Sequence, residues 1–258
     1  MNPTLAVVGA ALVVVASGAA CTTNNASSTN ASTTSAQSAE APSANQAMTP
    51  NVLSSDETAA GWRLLFDGKT TSGWREFRKQ SVSPGWQVIG GSLVRADSAA
   101  GDIITTDQFR NFELALDWKV PEAGNSGIFY RATEQADIIW QAAPEMQVLD
   151  DAKHVDGRNP LTSAGASYAI YPAPRGAVRA AGEWNSARLI VNGNHVEHWL
   201  NGTKMVEFEL GGADWKDRVA KSKFNTMPMY GTAKEGHIGL QDHGDRVEFR
   251  NIRIRVLP

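Results

Sequence analysis

Glu145, Gln147, Asp150 and His154 stand within ten positions of one another near the middle of the chain. Side chains of these types can take, hold or relay a proton. Glu145 and Gln147 are two apart in a run whose other members, Met146, Val148 and Leu149, are apolar, so a strand would turn both toward one face. On a cleft wall that pair would join a proton acceptor to an amide able to hold a hydroxyl; on an outer face both would simply be solvated. Asp150 and His154 are further candidates for a base. A nearby carboxylate can orient an imidazole and raise its basicity, while aspartates in a turn also serve as caps. Arg131 closes the run Gly124-Asn125-Ser126-Gly127-Ile128-Phe129-Tyr130-Arg131. It is a candidate donor to a developing anion or to paired oxygens, or else the ion-pair partner of Glu145. So many polar groups on short strands depart from plain core packing and point to a polar cleft built on a sheet.

The elements that must position these groups read as strands between Gly, Asn and Asp turns. Residues 86–89 and 92–95 flank Gly90-Gly91 as a hairpin, and 112–120 alternate Leu114, Leu116, Trp118 and Val120 with Glu113, Asp117 and Lys119. Asn-Gly turns at 192–193 and 201–202 join 185–191, 195–200 and 203–210 into a meander. Two more strands follow at 237–241 and 247–256. Phe249 is out of phase with Ile252 and Ile254, which places a bulge near Arg250-Asn251. The one helical stretch is 214–224. The expectation is an all-β chain, an antiparallel β-sandwich or jelly roll with one short helix. On the strand at 195–200, His198 shares a face with Val196 and Leu200, so it is either a cleft residue or a satisfied core histidine. Gln241 and His243 fall where a strand enters a turn; they reach the cleft or shape the turn.

The chain of 258 residues carries a formal net charge of -3 with no basic tract, which argues against a nucleic-acid partner. It lacks the phosphate-loop, CxxC, HExxH and GxSxG patterns, so nothing supports a nucleotide cofactor or a serine hydrolase triad. Residues 4–20 are apolar and small, and Gly18-Ala19-Ala20 precede Cys21, the single cysteine. That arrangement resembles a bacterial lipoprotein signal, with lipidation at Cys21, although a positive n-region is missing. Residues 22–52 are rich in Ser, Thr, Asn and Ala and hold one charge, Glu40; such a segment cannot offset its ordering entropy. The division expected is a signal at 1–20, a flexible tether at 21–55 and one folded domain at 56–258. The absence of Asp after Cys21 resembles lipoproteins sorted to the outer membrane, so the expected location is the bacterial cell envelope.

Leu64-Leu65-Phe66-Asp67-Gly68-Lys69 with Gly73-Trp74 resembles the opening of the 3-keto-disaccharide hydrolase family. The resemblance continues through the Gly124–Arg131 run, Glu145-Met146-Gln147-Val148-Leu149-Asp150, Gly182-Glu183-Trp184-Asn185, residues 195–202, residues 236–244 and residues 247–252. It implies a concanavalin-like sandwich, often lipid-anchored, acting on glycosides that a separate glycoside 3-dehydrogenase has oxidised at C3. The ketone acidifies the C2 hydrogen, and the group on C1 is then placed for elimination, with water adding to the enone. Such a site needs a base near C2, with Glu145, Asp150 and His154 as candidates, a cation or hydrogen-bond donor for the enolate oxygen, with Arg131 as candidate, and an acid for the departing oxygen. Gln147, Tyr130, Trp140, His198, Gln241 and His243 are the candidate substrate contacts. Trp140, separated from Glu145 by a short loop, would stack on a sugar or pack in the loop. The His and carboxylate groups permit a divalent metal, but no tight ligand spacing demands one. The alternative to an enzyme is a non-catalytic carbohydrate-binding lipoprotein, since the same architecture serves both.

Overall fold

The computed structural model describes residues 49–98 and 100–258. The apolar segment 4–20, Cys21 and the tether up to residue 48 lie outside the described residues. Thirteen strands follow in order: β1 (Arg63–Leu64), β2 (Trp74–Glu76), β3 (Trp86–Ile89), β4 (Ser92–Arg95), β5 (Ile103–Thr105), β6 (Phe112–Lys119), β7 (Asn125–Ala132), β8 (Glu145–Leu149), β9 (Asn185–Asn192), β10 (His195–Leu200), β11 (Thr203–Glu209), β12 (His237–Leu240) and β13 (Val247–Val256). Helix α1 (Ser55–Ala59) opens on a capping box between Ser54 and Glu57, and α2 (Ala213–Ala220) follows the meander. Just before α1, Asn51 already touches the large sheet, exchanging hydrogen bonds with Asn251 and donating to the carbonyl of Gly91.

The strands form two antiparallel sheets. The larger runs β11-β10-β9-β6-β13-β4-β3, with β1 added to β13; the smaller runs β2-β5-β12-β7-β8. Alternation explains how they stack. Val196, His198 and Leu200 of β10 are buried while His195, Glu197 and Trp199 are half-buried on the outer side. Between the sheets Leu114, Leu116 and Trp118 meet Ile128, Met146, Val148 and Ile238. The fold is therefore the expected antiparallel β-sandwich. The bulge expected in β13 is present as a register shift against β6 between Arg250 and Arg253, with Asn251 at φ 54°.

A smaller apolar cluster, Ile104, Phe129, Ala132, Ile139 and Ala143, lies apart from the main core. It seats the loop carrying Trp140 against the outer face of the small sheet. Residues 165–168 run beside β8: the Gly165 N–H donates to the Gln147 carbonyl, the Gln147 N–H donates to the Ala166 carbonyl, and the Tyr168 N–H donates to the Glu145 carbonyl. The Gly231 N–H donates to the Ala142 carbonyl and ties the segment after α2 to the Trp140 loop. These three loops wall in one patch of the small sheet.

Candidate active site

Period-2 geometry divides β7 and β8 between two environments. Met146 and Val148 enter the main core, while Glu145 and Gln147 line a cavity of about 260 Å³ on the outer face, joined by Asn125 from β7. The Glu145 carboxyl lies directly over Gly127, where an added Cβ would coincide with it. Gln147 Nε2 lies 3.4 Å from Asn125 Oδ1, so the two amides brace each other. From the loops come Trp140, Tyr168 and Lys223, and from the end of β12 come Gln241 and His243. Gln241 is held by its backbone: its N–H donates to Gly127 and its carbonyl accepts from Ser126 Oγ. Its side-chain Oε1 is buried without a partner among the described residues, and Gln241 lines the cavity, so this acceptor is unspent.

Glu145 is 5% exposed. Burial pushes its carboxyl up to about 8 against the counter-influence of Lys223, and the charges of Asp102 and Asp156 push the same way as burial. Among the described residues no hydrogen-bond donor offsets this. The group is a carboxyl at the threshold of ionisation, open to whatever enters the cavity. Lys223 stands at the exposed rim with its ammonium 4.3 Å from the Tyr168 ring centre and 5.4 Å from that of Trp140. Tyr168 is pushed up to about 12 by burial and then by Asp156, whose carboxylate lies 3.5 Å from its hydroxyl.

Five residues expected in the cleft are elsewhere. Arg131 is buried, with its guanidinium donating to the carbonyls of Arg110 and Gly193, and it makes no ion pair with Glu145. The cause is a bulge: β12 pairs Gly239 with Phe129 but His237 with Ala132, so two residues of β7 oppose one of β12. Arg131 takes φ 50° there and its side chain is re-aimed. Tyr130 of the small sheet and His198 of the large sheet both face the core between the two. The hydroxyl of Tyr130 donates to His198 Nε2 and His198 Nδ1 donates to the Gly165 carbonyl, each at 3.2 Å. Asp150 is a cap, accepting from the N–H groups of Ala123 and Ala152 at 2.8 and 3.1 Å. His154 accepts the Asp156 N–H at 3.1 Å and packs edge-on against His243 at 6.3 Å, one layer behind the cavity wall.

Tyr168 and Lys223 were not found from sequence; they lie in loops without periodicity. As for a metal, the one His and carboxylate group close enough to share an ion among the described residues is His195, Glu197 and Glu207. It sits on the outer surface of β10 and β11, where Lys204 lies 2.7 Å from Glu207 and 3.5 Å from Glu197. The cavity offers one carboxylate beside an ammonium, an imidazole and amides, a donor set suited to hydroxyls more than to a hard cation.

Residues 61–255 match the model of the 3-keto-alpha-glucoside-1,2-lyase-like domain. The chain belongs to this family. It is 38% identical over 184 residues to the 3-keto-disaccharide hydrolase of Bacteroides thetaiotaomicron, a match covering 62% of this chain and 63% of that protein. The chain thus spans less than two thirds of that relative's length. Among solved structures, a candidate glycosyl hydrolase of Parabacteroides distasonis is 36% identical with a TM-score of 0.76, covering 81% of this chain and all 100% of that one. A second from the same organism is 30% identical with a TM-score of 0.59, over 76% of this chain and 99% of that one. These two solved structures share the sandwich fold of this chain.

Proposed function

We propose that the protein cleaves 3-keto-glycosides in the bacterial envelope, with Glu145 as the base that removes the C2 proton. The observation that carries this reading is Glu145 itself: buried, free of protein donors, pushed up to about 8 and facing a cavity lined with amides and aromatic rings. A base is most effective when its pKa lies near the working pH. The C2–H bond breaks and the proton passes to Glu145. The electron pair is delocalised onto the C3 oxygen, then returns to expel the oxygen on C1, which takes up the proton held by Glu145. Water adds its hydroxyl to C1 and its proton to C2, giving the free 3-keto sugar. Trp140 and Tyr168 offer faces for the ring, and Asn125, Gln147 and Gln241 offer amides for its hydroxyls.

Ordinary glycoside hydrolysis uses two carboxyl groups flanking the scissile bond. Among the described residues lining the cavity Glu145 has no second carboxylate beside it, since Asp150 caps a turn. The name of the Bacteroides relative supports the substrate class, and the ketone must be supplied by an upstream oxidation at C3 by a glycoside 3-dehydrogenase. The test is incubation of the purified protein with a 3-keto-disaccharide and with its unoxidised parent in deuterated water. Cleavage of the first alone, with deuterium at C2 of the product, is the expected result. Binding of unmodified glycans with no cleavage of the keto-sugar would instead favour a carbohydrate-binding role, the reading that the Trp140 and Tyr168 wall supports by itself.

Attachment to the membrane falls in this proposal to lipidation of Cys21. Cys21→Ser should then move the protein from the detergent-extracted fraction to the soluble envelope fraction.

A further inference from the structure

Removal of Arg131 from the cavity leaves the developing enolate without the cation expected for it. Among the described residues lining the cavity, Lys223 is the one Lys or Arg. We propose that Lys223 is the catalytic cation that faces the C3 oxygen, stabilises the enolate and so makes the site select for ketones. The inference rests on the eliminative reading above and adds a residue and a role to it.

Three features of its setting carry the argument. First, Lys223 and Glu145 both line the cavity, and among the described residues no ion pair joins them. A locked pair would use up both groups; unpaired, each stays available to a substrate, one for a proton and the other for a carbonyl oxygen. Second, the ammonium is held by rings. Tyr168, Phe224 and Trp140 lie 4.3, 5.2 and 5.4 Å away. Attraction to a ring face positions a cation without accepting its N–H groups in ordinary hydrogen bonds, so the donors stay free for a ligand. Third, the backbone at this point is fixed. Phe224 is buried, its N–H donates to Ser222 Oγ, and Ser222 Oγ donates to the Val219 carbonyl at the end of α2.

The electron flow shows where such a cation acts. As the C2–H bond breaks, its pair becomes the C2=C3 π bond and the carbonyl π pair moves onto the C3 oxygen. Negative charge grows on that oxygen only on the way to the transition state, so a fixed ammonium there lowers the barrier more than it tightens binding. An unoxidised sugar presents a hydroxyl at C3 and receives only an ordinary hydrogen bond. Selection for the ketone then appears in the rate and not in affinity.

The experiment compares wild type, Lys223→Met, Lys223→Arg and Glu145→Gln in the full chain, each checked for folding by circular dichroism. Steady-state kinetics on a 3-keto-disaccharide are read beside exchange of its C2 hydrogen with deuterated water. Lys223→Met is expected to lower kcat by roughly 10²–10³-fold with a much smaller change in KM, to slow C2 exchange in parallel, and to be partly rescued in Lys223→Arg. A kcat within a few-fold of wild type, or a rise confined to KM, overturns the proposal. So does a borohydride-trapped adduct at Lys223, which would make the residue a covalent imine former. If Glu145→Gln abolishes exchange but Lys223→Met does not, the role of Lys223 alone fails. If wild type shows no C2 exchange during turnover, the eliminative reading fails first.

Discussion

Glu145 and His198 are both shut away from bulk water, at 5% and 0% exposure, on opposite sides of the small sheet. Burial shifts each toward its neutral form: Glu145 rises to about 8, and His198 falls to about 4. The shifts alone would nominate both as functional groups. The difference lies in their hydrogen bonds. Both ring nitrogens of His198 are spent inside the protein, on the Gly165 carbonyl and the Tyr130 hydroxyl, and the edges of the Tyr130 and Phe208 rings close the space around it. Glu145 spends none of its carboxyl capacity on the protein and faces a cavity. Burial makes a titratable group unusual; unused hydrogen-bonding capacity beside open space makes it available for chemistry.

The strongest way to break this contrast is to exchange each group for a neutral one. Glu145→Gln should lower turnover of a 3-keto-disaccharide by roughly 10²–10⁴-fold without lowering the melting temperature. Near-normal turnover in the folded variant would remove Glu145 as the base. His198→Leu should do the reverse. It orphans the Tyr130 hydroxyl and the Gly165 carbonyl, each at a cost of about 1–3 kcal/mol, while the kcat of the folded fraction stays within a few-fold. Denaturant titration beside kinetics reads both outcomes, and a His198→Leu protein that is stable but inactive would put His198 back into the mechanism.

A smaller effect sharpens the same point from the backbone. Gly127→Ala would place a Cβ on the Glu145 carboxyl, which can swing aside because it ends a flexible side chain. Stability should change little, but displacement of a base by about 1 Å can cost on the order of 10²-fold in rate. Unchanged kinetics in Gly127→Ala would show that the position of Glu145 over Gly127 is not the reactive one.

What could be read from sequence follows the same division. Glu145 and Gln147 were legible as one face because β8 obeys a period of 2, and the bulge at Asn251 was legible because Phe249 and Ile252 disagree in phase. The bulge at Arg131 was not legible. All eight residues of β7 are buried, so no change of phase marks it, and an arginine aimed by alternation at the cleft turns instead toward two backbone carbonyls. For His198 the strand face was clear, with Val196 and Leu200 beside it, but the sequence does not say which face meets the second sheet. Lys223 and Tyr168 reach the cavity from loops tied down by single backbone hydrogen bonds, such as Tyr168 to Glu145, which leave no pattern in composition.

The smallest expected effect is also the most specific to the pair, because Glu145 and His198 bend the pH dependence of stability in opposite directions. For Glu145 the folded pKa of about 8 exceeds the ordinary 4.5. The native state therefore holds a proton that the unfolded chain has released, and stability falls as pH rises from 4.5 to 8. For His198 the folded value of about 4 is below the ordinary 6.5. Here the unfolded chain holds the extra proton, and stability rises with pH from 4 to 6.5. Between 4.5 and 6.5 the two slopes offset each other; above 6.5 only that of Glu145 remains, at most about 1.4 kcal/mol per pH unit. Asp102, raised to about 6, adds a fall of the same sign that is largely complete by about pH 7. Subtracting the profile of Glu145→Gln from that of wild type cancels the groups that Glu145 does not influence, and leaves its own titration with that of neighbours such as Asp102 and Lys223. The variant should match or exceed wild type by a growing margin between pH 6.5 and 8, and the margin should shrink toward pH 4.5. Parallel profiles would mean that the Glu145 carboxyl ionises freely through contact with cavity water, and its claim to be a base tuned by burial would be lost.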